Sequence, residues 1–319
     1  MQSMTPKNST TVRSRTTLRV ARAVLQTAYI LSDDLGTSVA ARLFTSPRRH
    51  RRPARERAIL ASAREGIVDV TLRAPRWHDM QVPIATWRWG IGPTVLLVHG
   101  WEGRGSQLGA FVEPLVAAGM SVVAFDAPGH GNSPEHRLYL TDLADCIAAV
   151  ATATGPLHGI VAHSFGAAAV LLAHAQSGTS APRNVMIAPN VLIDDAVRRF
   201  ARLVGLDEPD RIGLEHRLAA QTGIGIDALA LDRLATTRDD ALLVIHDRDD
   251  REVPFAHADA LARTWPNAQL LDASNVGHRR ILRAAETIAA TVDHLRVGVP
   301  LPASDLVREV DRQLEVSPL

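Results

Sequence analysis

The chain has 319 residues and a formal net charge of +1; it is 46% hydrophobic and 22% charged, with Cys146 as its single cysteine. That size and balance describe a soluble globular protein of one large α/β domain with additions, or of two ordinary domains. A lone cysteine excludes an internal disulfide and a multi-cysteine metal site, and it fits a reducing, cytoplasmic compartment. Nearly all of the positive charge is arginine, with Lys7 the only lysine, and much of it is gathered near the start of the chain.

Residues 1–17 are rich in Ser and Thr and read as a disordered lead. Val20, Val24, Leu25, Ala28, Leu31, Leu35, Val39 and Leu43 then recur at near-helical spacing. One or two amphipathic helices are expected, broken at Ser32-Asp33-Asp34, where Ser32 suits an N-cap. Arg19, Arg22, Asp33 and Asp34 make this stretch too charged for a membrane span or a secretory leader. The next run concentrates Arg48, Arg49, Arg51, Arg52, Arg55 and Arg57 against Glu56. It reads as a rim that pairs with acidic residues of the main body. The sharper alternative is a weak peripheral contact with anionic lipid or a partner protein. No aromatic residue interleaves the arginines, so nucleic acid is not an expected partner. Residues 1–60 are thus read as a basic, partly helical arm.

From Gly66 the pattern changes. Residues 67–72 and 82–89 alternate and predict an antiparallel pair. Apolar runs at 94–98, 121–125, 159–162, 184–187, 241–245 and 268–271 predict buried strands. Helical stretches near 106–118, 139–154, 165–176, 255–264 and 279–296 separate or follow them. This alternation specifies a mostly parallel sheet covered on both faces, with ligands expected at the carboxyl ends of the strands. Residues 190–237 interrupt it with short helices, for instance at 191–204 and 226–236, and are expected to cover those ends as a cap. The core is then divided into residues 61–189 and 238–297. Residues 298–319 read as a linker and a helix carrying Leu306, Val310 and Leu314 on one stripe. A monomer and a homodimer both fit.

The chemistry is organised around Ala162-His163-Ser164-Phe165-Gly166. An apolar strand runs into a serine, and small residues follow. A turn this sharp demands small side chains two positions before and after the serine. It would hold Ser164 strained and exposed, with the Phe165 N–H facing a developing oxyanion. Four loops accompany it. His99-Gly100-Trp101-Glu102-Gly103 would supply the Trp101 N–H as a second oxyanion donor. The run from Asp126 to Ser133 is a rigid turn. His246-Asp247-Arg248-Asp249-Asp250-Arg251-Glu252-Val253-Pro254 offers carboxylates after a strand, and Asn275-Val276-Gly277-His278 precedes the last long helix.

In their order and context these motifs resemble the serine hydrolases of the α/β-hydrolase superfamily, most closely the bacterial esterase-like branch, over residues 66–296. The resemblance implies an α/β-hydrolase fold with a short helical cap. Ser164 would be nucleophile, His278 general base and Asp250 the acid that orients it, with Asp249 the rival acid. His163, Pro189 and Asn190 are expected at the substrate pocket, and His99 and His130 as structural hydrogen-bonders. Two departures stand out: Ala162 replaces the usual first glycine of the elbow, and Asp247 stands where glycine is common in the acid loop. The implied activity is hydrolysis of a small-molecule carboxylic ester of small to medium acyl size, through an acyl-serine and without cofactor. Thioester hydrolysis, acyl transfer and a non-catalytic small-molecule receptor are the alternatives. No HExxH spacing points to a metal.

Overall fold

A computed structural model describes residues 9–235 and 238–299. The expected helix at 304–316 lies outside the described residues. Eight strands form one sheet: β1 (Arg64–Leu72), β2 (Met80–Trp89), β3 (Thr94–Val98), β4 (Ser121–Phe125), β5 (Leu157–His163), β6 (Arg183–Ile187), β7 (Ala241–His246) and β8 (Ala268–Asp272). Their spatial order is β1-β2-β4-β3-β5-β6-β7-β8. β1, β2 and β4 pair antiparallel, and every later pairing is parallel.

The central strands β3 and β4 are buried at every position because both faces of the sheet are covered there, whereas the edge strands β1 and β8 are partly exposed. Along β3, Leu96 and Val98 join one core while Val95 and Leu97 join the other. Along β7 the same split separates Leu242 and Val244 from Leu243 and Ile245. Helices Leu140–Thr154, Phe165–Ser177 and Ala256–Thr264 cover the first face. Helices Val112–Ala117 and Ala285–Arg296 cover the second. The expected helix at 106–118 is a 3₁₀ segment, Gly105–Phe111, continued by a short α-helix.

Two regions lie beyond this sandwich. Between β6 and β7 the chain forms helices Ile193–Val204, Glu208–Thr222 and Leu231–Ala235, with a 3₁₀ turn at Ile226–Leu229. The middle helix exceeds what the apolar spacing suggested. Its start is nonetheless written locally: Asp207 accepts a hydrogen bond from the Asp210 amide, and Pro209 occupies the first turn. Ahead of β1, helices Ser9–Leu31 and Asp33–Thr45 meet at Ser32, whose hydroxyl accepts from the Leu35 amide. The first of them begins inside the stretch expected to be a disordered lead. Without glycine or a helix-interior proline, a stretch adjoining a packed helix can extend it at little nucleation cost.

These two regions pack on each other. Leu25, Ala40 and Ala41 share an apolar cluster with Val197, Val204 and Leu214. Arg22 donates to the Leu203 carbonyl at 2.8 Å, and Arg217 pairs with Asp34. A side chain at Gly36 would meet the Tyr29 ring at 2.3 Å, so glycine lets the helix pair close.

Residues 48–56 then descend onto the loops at the carboxyl ends of β3 and β4. Arg48 pairs with Glu102 at 2.9 Å, Arg52 with Asp126 at 2.9 Å, and Arg104 with Glu56 at 2.5 Å. Asp126 and Glu56 are buried, so these contacts are structural joints. Among the described residues no helix is long and apolar enough to cross a membrane.

Candidate active site

Ser164 sits between the last residue of β5 and the first of helix Phe165–Ser177. Its backbone is strained, at φ 53° and ψ −120°, a region that non-glycine residues rarely enter. The surroundings enforce this. The Ser164 amide donates to the Ile187 carbonyl at 3.0 Å, and the Asn190 amide donates to the Ser164 carbonyl at 3.1 Å. A Cβ on Gly166 would lie 2.6 Å from the His99 carbonyl oxygen, and one on Gly100 would lie 2.9 Å from the Ser164 Cβ. Ala162, at the first-glycine position of the motif, is fully buried, so a methyl group is accommodated there.

The Ser164 hydroxyl donates to His278 Nε2 at 3.0 Å, and His278 Nδ1–H donates to Asp250 Oδ2 at 2.7 Å. Asp250 is therefore the carboxylate against the imidazole. Asp249 lies apart from it, its amide donating to Asp247 Oδ1 at 2.9 Å. The second oxygen of Asp250 accepts from the Glu252 and Val253 amides, at 2.7 and 3.0 Å. Burial alone raises this carboxyl's pKa, but the imidazoles of His246 and His278 and the Val253 amide outweigh it. The net result holds Asp250 far below the usual carboxylate range.

Asp247, flagged in the sequence only as a departure, ties the acid loop to the histidine loop. Its Oδ2 accepts from the Val276 and Gly277 amides at 2.7 and 2.5 Å, and its Oδ1 accepts from Asp249. Burial raises its pKa, and these amides bring it below normal. The loop that carries His278 thus hangs from a carboxylate three residues before Asp250. A carboxylate in a glycine slot was the available signal. His246 was not anticipated either: its Nε2–H donates to the Val253 carbonyl at 3.1 Å and lies 3.4 Å from Asp250 Oδ2.

The Phe165 amide opens its helix and so has no intrahelical acceptor. Neither it nor the Trp101 amide donates a hydrogen bond among the described residues. The Trp101 and Phe165 rings meet edge to face at 5.9 Å. The loop beneath Trp101 is held by two neutral histidines. His99 Nδ1–H donates to the Gly100 carbonyl at 2.8 Å, and its Nε2 accepts from the Ala127 amide at 3.0 Å. His130 Nδ1–H donates to the Pro128 carbonyl at 3.0 Å, and its Nε2 accepts from the Glu102 amide at 3.1 Å. Burial lowers the His99 pKa to about 4; burial and the neighbouring His99 lower that of His130 to about 3.

Glu102 itself adopts a left-handed backbone, φ 54°. Its carboxylate is gripped from outside by Arg48 and by His50 Nε2 at 3.2 Å. Burial raises the Glu102 pKa, and the bonds from Arg48 and His50 more than offset it.

Of the residues expected at the pocket, His163 is buried behind His278. Its Nε2–H donates to the His278 carbonyl at 3.0 Å, and the two rings lie 4.8 Å apart. Burial, then His278, lowers its pKa to about 3, so it is a neutral brace. Pro189 is buried. Asn190 joins the elbow to the helical insertion, its Oδ1 accepting from Arg199 at 3.0 Å. Arg199 also pairs with Asp195 at 3.0 Å and donates to the Glu252 carbonyl at 3.0 Å, tying the insertion to the acid loop. Among the described residues no cluster of three or more His, Cys, Asp or Glu side chains could hold a metal ion.

The sequence model of the Alpha/beta hydrolase family matches residues 95–291, more than half of the chain. The chain belongs to the α/β hydrolase family. Within it, the chain is 27% identical over 248 residues to the pimeloyl-[acyl-carrier protein] methyl ester esterase of Aromatoleum aromaticum, covering 65% of this chain and 99% of that protein. Among solved α/β hydrolases, a thermophilic esterase from Thermogutta terrifontis superposes with a TM-score of 0.55 at 18% identity, over 72% of this chain and 98% of that one. An esterase from Pyrococcus furiosus superposes with a TM-score of 0.56 at 17% identity, over 79% and 97%. At such identities the superpositions speak for the fold. The matched span contains this α/β hydrolase's elbow, acid loop and histidine loop. It excludes the N-terminal segment that grips Glu102.

Proposed function

We propose that the protein is a serine hydrolase of small-molecule carboxylic esters, acting through an acyl-Ser164 intermediate. The observation that carries this is the unbroken hydrogen-bonded series from the Ser164 hydroxyl through His278 to Asp250, built on a strained elbow. His278 Nε2 takes the proton as Ser164 Oγ attacks the ester carbonyl carbon. Asp250 holds the Nδ1–H tautomer and stabilises the imidazolium. The Trp101 and Phe165 amides donate to the oxyanion, where one missing donor typically costs about 3–4 kcal/mol of barrier.

Collapse of the adduct breaks the ester C–O bond, and the imidazolium passes its proton to the departing alkoxide. Water then attacks the acyl-enzyme, giving a proton to His278. The acid is released as Ser164 Oγ recovers that proton.

The helical insertion acts as a cap, and Asn190 and Arg199 form its joint with the elbow. A cap built of helices this short, tied down at Asp195 and Arg199, suits small to medium acyl groups. The esterase named among the relatives acts on a methyl ester, which supports a small alcohol as the leaving group. A graded series of p-nitrophenyl esters tests the reading, together with a serine-directed phosphonate. Turnover should favour short chains and vanish in Ser164→Ala, with the label on Ser164. A folded enzyme that neither turns over esters nor takes the label refutes it.

A further inference from the structure

The N-terminal segment brings more positive charge to the body than the nearby carboxylates neutralise. Arg48 meets Glu102 and Arg52 meets Asp126. Arg42 and Arg49 of the same segment, and Arg137 of the loop after β4, enter no ion pair among the described residues. These three side chains line one cavity of about 410 Å³, with Ser46, His136 and Glu135 also on its wall. Arg49 donates to the carbonyls of Gly129 and Ser133. Those bonds fix its guanidinium in the wall without supplying a counter-charge.

The crowding of cations is visible in its neighbours. Burial, then the charge of Arg137, lowers the pKa of Arg76. Burial lowers that of His136, and the charges of Arg76 and Arg137 lower it further. On a solvated face, long cationic side chains spread apart, and their repulsion is screened. Arg42 and Arg49 are exposed and Arg137 is half-buried, yet all three, from segments about 90 residues apart, line one concavity, where like charges on a shared wall raise the local potential. An anion seated among these unpaired cations would gain their summed attraction.

The volume lies within the range of small-molecule sites, about 300–1,000 Å³. Guanidinium forks match the paired oxygens of phosphate, and the Ser46 hydroxyl offers a further donor. Three guanidiniums facing one carboxylate suit a dianion. We propose that this cavity is a binding site for a phosphate group, whether free, on a small organic ester, or on a lipid headgroup. The inference stands independently of the esterase reading.

The test uses the full-length protein at constant ionic strength. Calorimetric titration with inorganic phosphate and with glycerol 3-phosphate is run on the wild type, on Arg42→Gln/Arg137→Gln, and on Arg263→Gln. Arg263 is an exposed arginine paired with Asp259 on helix Ala256–Thr264. Saturable binding by the wild type, weakened about tenfold or more in the double variant and unchanged in Arg263→Gln, is the expected result. Without phosphate the double variant should unfold at the same temperature as the wild type or higher, because repulsion has been removed.

Co-sedimentation with phosphatidylcholine vesicles, with and without phosphatidylglycerol, separates the sources. Binding only to the anionic vesicles, lost in the double variant, assigns a lipid headgroup. Tighter binding of glycerol 3-phosphate than of phosphate assigns a small organic ester. No saturable binding to any of these probes, or equal weakening in Arg263→Gln, overturns the proposal.

Discussion

The inner and outer halves of the candidate site are held by different forces. On the inner side, the elbow, acid loop and histidine loop hang from backbone amides: Asp247 holds the 276–277 turn, Asp250 holds the 252–253 turn, and His163 braces His278. On the outer side, the loop around Trp101 is anchored by side-chain charge from a segment that the family match does not include. The amide cages sit at strand ends inside the span that the family model matches. Charge pairs depend on the N-terminal addition being present and docked. The inner half should therefore tolerate loss of the N-terminal segment's charges, and the outer half should not.

The strongest test of the inner half is removal of its proposed reacting groups. Ser164→Ala or His278→Ala should lower kcat by about 10⁵–10⁶, and Asp250→Asn by about 10⁴, in an ester hydrolysis assay. Asp249→Asn should leave kcat within about twofold, because that carboxylate does not meet the imidazole. If the two aspartates exchange these behaviours, the assignment of the acid fails. For the outer half, Arg52→Ala leaves the buried Asp126 carboxylate without its cation. It should cost about 3 kcal/mol in urea denaturation, and a cost near zero would show that the joint is ornamental.

Asp247→Asn probes the inner half more gently. It weakens the suspension of the His278 loop, and kcat should fall on the order of 100-fold with KM little changed. Acid sensitivity is the mildest discriminator. Unfolded, each imidazole titrates near 6.5, whereas folded His99 titrates at about 4 and His130 and His163 at about 3. Between those values the unfolded chain binds more protons, so stability is complete above about pH 6.5 and falls as pH drops. Asp142, raised to about 7 chiefly by burial, acts with opposite sign between its unfolded value of 3.8 and 7 and offsets one proton. His136, His174, His257 and His294, also lowered chiefly by burial, act with the histidines' sign, so denaturation curves at a series of pH values should show stability falling from about pH 6 to 4.5. A flat profile would mean that these histidines are protonated in the folded state.

Much of the sheet was legible because burial on both faces writes continuous apolar runs. The runs at Thr94–Val98 and Ser121–Phe125 coincide with their strands to the residue. The order of motifs pointed to Ser164, His278 and Asp250, which the fold brings into hydrogen-bonding range. What stayed hidden was partnership at long range. Nothing near Asp247 in the chain announces that its acceptors serve amides 29 and 30 residues away. Nothing in the arginine run says which of its members would find Glu102 or Asp126 and which would face a cavity. Helix Glu208–Thr222 escaped because charge surrounds it and its apolar stripe is weak, even though its cap is written in Asp207 and Pro209.

The carbonyl of Ser164 and the amide of Asn190 are joined directly, and Asn190 is also where the chain departs for its helical insertion. The proposed nucleophile and the root of the helical insertion proposed as its cap thus share one peptide-to-peptide tether. A redesign of the lid for larger acids would tug on the hydroxyl's alignment as well as widen the entrance. Under the proposed roles, selectivity and speed would have to be evolved together.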